Sequence, residues 1–205
     1  MKITNILQAI YGHAIQREGE LYEKWISISH KLGAIAGGVS VVTLQRNGRL
    51  DLMLRALENE RLERTADAAS EEPIYSLDLQ MALSENWIMS AYEVARAAKD
   101  PIKESGENSE RLLKLEYRLA LVRIPMVKGV IKGMDFNKNK KNPPMMQKVG
   151  DDKTELYEND GNYIMPTTLC EETGAVVWMP VDINQRSTIA VCRRDLSDEM
   201  LAMFD

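Results

Sequence analysis

The 205-residue chain is predicted to be mainly α, α+β overall: a helical bundle with a small C-terminal antiparallel β-meander and a terminal helix. Three observations predict it. Apolar residues recur with a helical period through the first two-thirds of the chain. After residue 163 the period changes to two. Between these regions lies a stretch rich in lysine, asparagine and proline, NKNKKNPP. The predicted organisation is a bundle over 1–136, a linker over 137–162 and the meander with its helix over 163–205.

The elements follow in order. Leu7, Ala14, Leu21, Ile28, Ile35 and Val42 recur every seven residues, with Ile10, Trp25, Leu32 and Val39 filling the same stripe. This spacing predicts one long helix or two nearly continuous ones. Gly33, Gly37 and Gly38 weaken it or let a neighbouring helix approach closely. Asn47-Gly48 reads as a turn. It joins two helices, because Leu50, Met53, Leu54 and Leu57 resume helical spacing toward Arg64; a β-hairpin over 39–54 is the alternative. A loop is expected at Ala66–Pro73. Alternation of Tyr75, Leu77, Leu79 and Met81 then predicts an extended segment.

Ser84 is the expected cap of a helix with Trp87, Ile88, Ala91, Val94, Ala95 and Ala98 on its apolar face, ending at Asp100-Pro101. Asn108 or Ser109 caps the next helix, whose stripe is Leu112, Leu115, Leu119, Val122 and Met126. Tyr163–Cys170, Ala175–Asp182 and Ser187–Arg194 read as strands, the first two joined by a turn at Glu171–Gly174. Ser197 caps the terminal helix, with Leu201 and Phe204 as anchors.

Composition narrows the chemistry. Two cysteines build no disulfide framework, and no CxxC pair points to zinc. Cys170 and Cys192 read as small apolar strand residues that could be strand neighbours. The longest apolar run, Leu32 to Leu44, falls short of the roughly 20 residues a membrane span requires. Lys2 precedes a broken, partly polar segment rather than a signal peptide, so no membrane and a cytoplasmic location are expected. His13 and His30 stand about 25 Å apart along a continuous helix and belong to no ExxH or HExxH pattern. GxSxG and phosphate-loop motifs are absent, so no metal, cofactor or catalytic residue is expected.

The net charge of −5 divides unevenly: −2 over residues 1–127, +5 over 128–148 and −8 over 149–205. Lys138, Lys140 and Lys141 of the basic connector are interleaved with asparagine rather than aromatics, which permits at most non-specific contact with nucleic acid. Twelve methionines are many, and Met145-Met146 and the Met200–Phe204 end are candidate exposed surfaces for a protein partner or self-association.

One polar constellation stands out. Trp87, Tyr92, Glu93 and Arg96 lie on one predicted helix, and Arg118, Arg123 and Lys128 on the next. Antiparallel packing would bring Glu93 or Tyr92 to Arg118 or Arg123, forming either a set of ion pairs or a pocket for an anionic ligand.

The segment Arg123-Ile124-Pro125-Met126-Val127-Lys128, on a late helix of a bundle this size, resembles the HEPN-type proteins of bacterial defence and toxin–antitoxin systems. The resemblance implies a helical bundle over 1–135 and RNA-related work at a dimer interface. That family's ribonucleases follow the arginine with a histidine a few positions on. Here Lys128 and Gly129 stand there, and the match ending at His30 begins with Lys24. The catalytic pair is therefore missing.

The expected function is a non-catalytic helical interaction module acting in a homo-oligomer or larger complex. The alternatives are an RNA-related HEPN-like component and a sensor of a small anionic ligand.

Overall fold

The computed structural model describes residues 2–66, 75–105, 109–134, 143–147 and 153–204. The fold is mainly α, with a small antiparallel β region at the C-terminal end. Helices α1 (Ile3–Arg17) and α2 (Gly19–Ala36) are nearly collinear in hydrogen bonding, since Glu18 N–H donates to Ala14 and Tyr22 N–H donates to Glu18. The seven-residue repeat forms two nearly continuous helices only as far as Ala36, and its expected last members, Val39 and Val42, fall on the next helix, beyond Gly37. There φ is +92°, a value that favours glycine, and the chain reverses.

Helix α3 (Gly38–Ala66) runs back along α2 and α1 and passes straight through Asn47-Gly48, with neither the expected joint nor a hairpin. Gly48 serves a different purpose. A Cβ there would lie 2.6 Å from Cγ of Trp25, so the missing side chain lets the indole lie against the helix backbone. Gly33 provides the same clearance for Val41, as close helix approach requires. The repeat is not core throughout, because Leu7, Ile10, Val39 and Val42 are exposed.

The buried stripe of α3 is Ser40, Leu44, Asn47, Asp51, Leu54, Glu58 and Arg61. These positions have the spacing of a helical core face, yet most of them are polar. Helix α4 (Ser76–Ser105) begins where an extended segment was expected. Its buried face opens with Gln80 and Ser84 before reaching Trp87 and Ile88, so the apolar residues of its first turns point to solvent and mimic strand alternation. Ser84 lies inside the helix rather than capping it, and α4 continues through Pro101 to bury Ile102. Burial of Ile102 offsets the hydrogen bond that Pro101 removes. Helix α5 (Ser109–Lys128) packs on α4 with Leu112, Leu115, Leu119 and Val122 of the expected stripe buried and Met126 partly buried.

Strands β1 (Met145–Gln147) and β2 (Thr154–Leu156) pair antiparallel within the segment read as linker. Strands β3 (Thr167–Leu169), β4 (Val176–Trp178) and β7 (Val191–Cys192) form one antiparallel sheet in the order β3-β4-β7. The hairpin β5 (Val181–Asp182)–β6 (Ser187–Thr188) is inserted between β4 and β7. The turn at Glu171–Gly174 forms as expected, with Gly174 at φ +70°. Cys170 and Cys192 are free thiols on opposite sides of β4, not strand neighbours.

Helix α6 (Arg193–Leu201) starts four residues before the expected cap, so Ser197 is internal and buried. Met200, Leu201 and Met203 are buried in the core, contrary to their expected exposure, because α6 packs against the β region and the bundle. Trp178, Val191, Leu196 and Met200 share one apolar cluster with Trp25, Trp87 and Leu115, so bundle and β region are built on a common core.

Candidate functional site

Four features hold chemistry beyond apolar packing. The most buried centres on Arg193, which has no solvent exposure. Its Nε donates to Glu58 Oε1 at 2.8 Å and its Nη1 donates to Asp51. Asp51 also accepts from Trp25 Nε1 at 3.0 Å and from Arg55 Nε at 2.9 Å, while Arg194 reaches Glu58 at 2.6 Å. Arg55 continues outward to Ser197 Oγ at 2.6 Å and to Asp198. Three guanidinium groups thus meet three carboxylates, a balanced set whose charges are paired as burial demands. Burial pushes the Asp51 carboxyl up, but Arg193 and Arg55 outweigh this and hold it below the ordinary aspartate value. With Asp51, Glu58 and Arg193 all closed to solvent, the network fastens α6 to α3 rather than meeting a ligand.

Sequence reasoning missed this network. Its signal was the placement of Asp51 and Glu58 seven residues apart on the stripe containing Leu44 and Leu54, which puts both carboxylates on the core face.

The expected constellation on α4 and α5 is brought together in part. Arg123 lies 5.1 Å from the Tyr92 ring and 3.4 Å from Glu93, and Arg96 pairs with Glu93 at 2.8 Å. Arg118 turns instead to Glu199 of α6. Trp87 is fully buried, edge-on to Trp25 at 6.4 Å, and contributes to the core rather than to a surface site. Lys128 is exposed at the end of α5. Lys138, Lys140 and Lys141 lie outside the described residues.

A third cluster joins α5 to β5. Tyr117 donates to Asp182 Oδ1 at 2.6 Å and accepts from the Asn184 side chain at 2.7 Å. Lys132 Nζ stands 3.9 Å above the Tyr117 ring. Burial and the Asp182 carboxylate push the Tyr117 hydroxyl up to about 12, so it acts as a hydrogen-bond donor rather than a base. An open groove of about 660 Å³ lies nearby, lined by Met134, Pro143, Pro144, Met146, Ile183 and Arg186.

The fourth feature is a surface. On α1, Ile3, Ile6, Leu7 and Ile10 are exposed by 74%, 37%, 48% and 41%, and they share one helix face. Ala14, on the same face, is buried against the bundle, and Arg17 pairs with Glu63 of α3. The face that docks at Ala14 therefore continues outward without cover among the described residues.

Among the described residues, no group of three or more His, Cys, Asp or Glu side chains is arranged to hold a metal ion. Likewise, none of the described helices is long and apolar enough to cross a membrane. Comparison with protein families, with curated proteins and with solved structures finds no match to this chain.

Proposed function

We propose that this chain is a non-catalytic cytoplasmic interaction module that works in an assembly of its own copies or in a larger complex. The apolar stripe of Ile3, Ile6, Leu7 and Ile10 carries this reading. A contiguous apolar helix face left in water marks a contact surface, because burying it is favourable at about 25 cal/mol per Å². The segment Lys2–Gln16 holds no acidic residue in a chain with 31 of them, so little charge has to be desolvated when this face is covered. The polar clusters fit a structural role better than catalysis: Arg193 is sealed, and Glu93 neutralises part of the charge of Arg96 and Arg123. Two free thiols suit a reducing compartment.

The test is the solution mass of the purified chain by light scattering. A mass above that of one chain is expected, and Leu7→Glu should reduce it without lowering the melting temperature. A single-chain mass at all concentrations would refute the assembly of its own copies and leave only the larger complex, which then requires a second protein that co-purifies with the chain and is lost in Leu7→Glu.

The accessible Arg123 on α5 favours a second reading, an RNA-related component resembling HEPN-type bundles. It requires RNA cleavage or binding by the purified chain that is lost in Arg123→Ala. An anionic-ligand sensor at Arg96 and Arg123 requires ligand-dependent stabilisation that the same variant abolishes.

A further inference from the structure

We infer that the first turns of α1, residues 2–10, form an arm that unfolds and refolds by itself while the rest of the chain stays folded, and that Gly12 is its hinge. This holds whether or not the interaction reading above does, and it adds a property to the surface on which that reading stands.

Burial in α1 begins only beyond this stretch. Every residue from 2 to 10 is exposed, Tyr11 is the first to be half-buried, and Ala14 is the one buried residue of the helix. The ion pair that follows, Arg17 with Glu63, keeps 38% and 68% of its side chains in water and so holds α1 only weakly. Ile3, Ile6, Leu7 and Ile10, the side chains that could have fixed the arm to the body, are left in water. The arm therefore has to be helical on its own. A helix shorter than about 12 residues is marginal in water.

The local sequence does not supply what packing withholds. Ile3, Thr4, Asn5, Ile6 and Ile10 all rank below alanine, leucine and glutamine in helix propensity. β-Branched side chains lose rotamers against the preceding turn, and asparagine competes for backbone hydrogen bonds. Lys2 at the N-cap makes no side-chain cap hydrogen bond, and the first turn has no acidic residue to face the positive end of the helix dipole. Gly12 lies where the arm meets the body. A Cβ there would meet nothing within 4 Å, so no neighbour requires a glycine, whereas Val41 and Trp25 require Gly33 and Gly48. What Gly12 does supply is backbone freedom, which weakens the helix at the joint. Few buried contacts and water-exposed backbone hydrogen bonds mark a segment that opens locally. A partner that covers the apolar face has to order the arm as well, so the contact is weaker than its apolar area alone would give.

Amide hydrogen exchange of the purified chain tests this, followed residue by residue over a dilution series and in urea below the unfolding transition. At the lowest concentration the amides of residues 7–10 should exchange rapidly, at rates that urea leaves unchanged. Those of Leu44 and Leu54 should exchange slowly and speed up with urea, as global unfolding requires. Gly12→Ala should slow the exchange of residues 7–10 about fivefold, the factor by which alanine favours a helix over glycine. Gly19→Ala, equally unhindered but beyond the Ala14 anchor, should leave those rates unchanged. Protection of residues 7–10 that matches Leu44 and Leu54 at the lowest concentration would overturn the arm. Equal slowing by both variants would overturn Gly12 as its hinge. The solution mass reports on the interaction reading separately: a single-chain mass leaves the arm standing, and a protected arm leaves a mass above one chain unexplained by disorder but intact.

Discussion

At the scale of single residues, the decisive facts concern charge placed where water cannot reach. Arg193 satisfies Asp51 and Glu58 together, and removing it would strand two carboxylates in the core. Arg193→Met should therefore cost about 3–5 kcal/mol, measured by urea denaturation. The pH dependence follows from Asp51. Its carboxyl is held below the ordinary value of 3.8 in the folded chain, so the unfolded chain takes up the proton first. Its contribution to stability is complete above that value and is lost as pH falls through the folded value. The melting temperature should drop below about pH 4, and Asp51→Asn should flatten that part of the profile at the expense of stability at neutral pH. Gly48 gives a steric counterpart. Gly48→Ala places a methyl group against Trp25 and should destabilise the fold by about 1–3 kcal/mol despite the better helix propensity of alanine.

At the scale of elements, phase decides what each helix shows to its neighbours. In α3 the core face carries Asn47, Asp51, Glu58 and Arg61, so apolar periodicity describes only part of it. In α4 the same substitution of polar for apolar residues at Gln80 and Ser84 hides the first two turns. Gln80 is held there by its bonds to Arg61 at 2.9 Å and to the Gly174 carbonyl at 2.7 Å. Gly37 sets the boundary between α2 and α3. Gly37→Ala forces a side chain into the left-handed region and should cost about 1–2 kcal/mol, readable as a lower denaturation midpoint. Tyr117 ties α5 to β5. Tyr117→Phe should destabilise by about 1–3 kcal/mol, because the buried Asp182 loses its shortest donor.

For the whole molecule, the shared core and the Arg193 network make the C-terminal helix part of the bundle rather than an appendage on it. Removing residues 193–205 should abolish cooperative unfolding of the entire chain, as followed by the helical circular dichroism signal. A truncated chain that kept a sharp transition at the wild-type temperature would show that the bundle stands alone. Placing α6 in the core removes the Met200–Phe204 end from the expected contact surfaces, whereas Met145 stays exposed.

The sequence by itself determined what depends on near neighbours. The seven-residue repeat specified α1 and α2, and the change of period marked the β region. Gly174 specified its turn. Helical hydrogen bonds and turn geometry act over a few residues, so these features are written locally. Only the tertiary structure decided which polar residues belong inside. Asp51 is tolerated in the core because Arg193, 142 positions away, arrives to neutralise it. Gly48 is a packing residue because Trp25 lies on it, where sequence alone reads a turn. Burial of a charge or loss of a side chain is favourable only when a specific distant partner fills the space, and no local pattern records that partner.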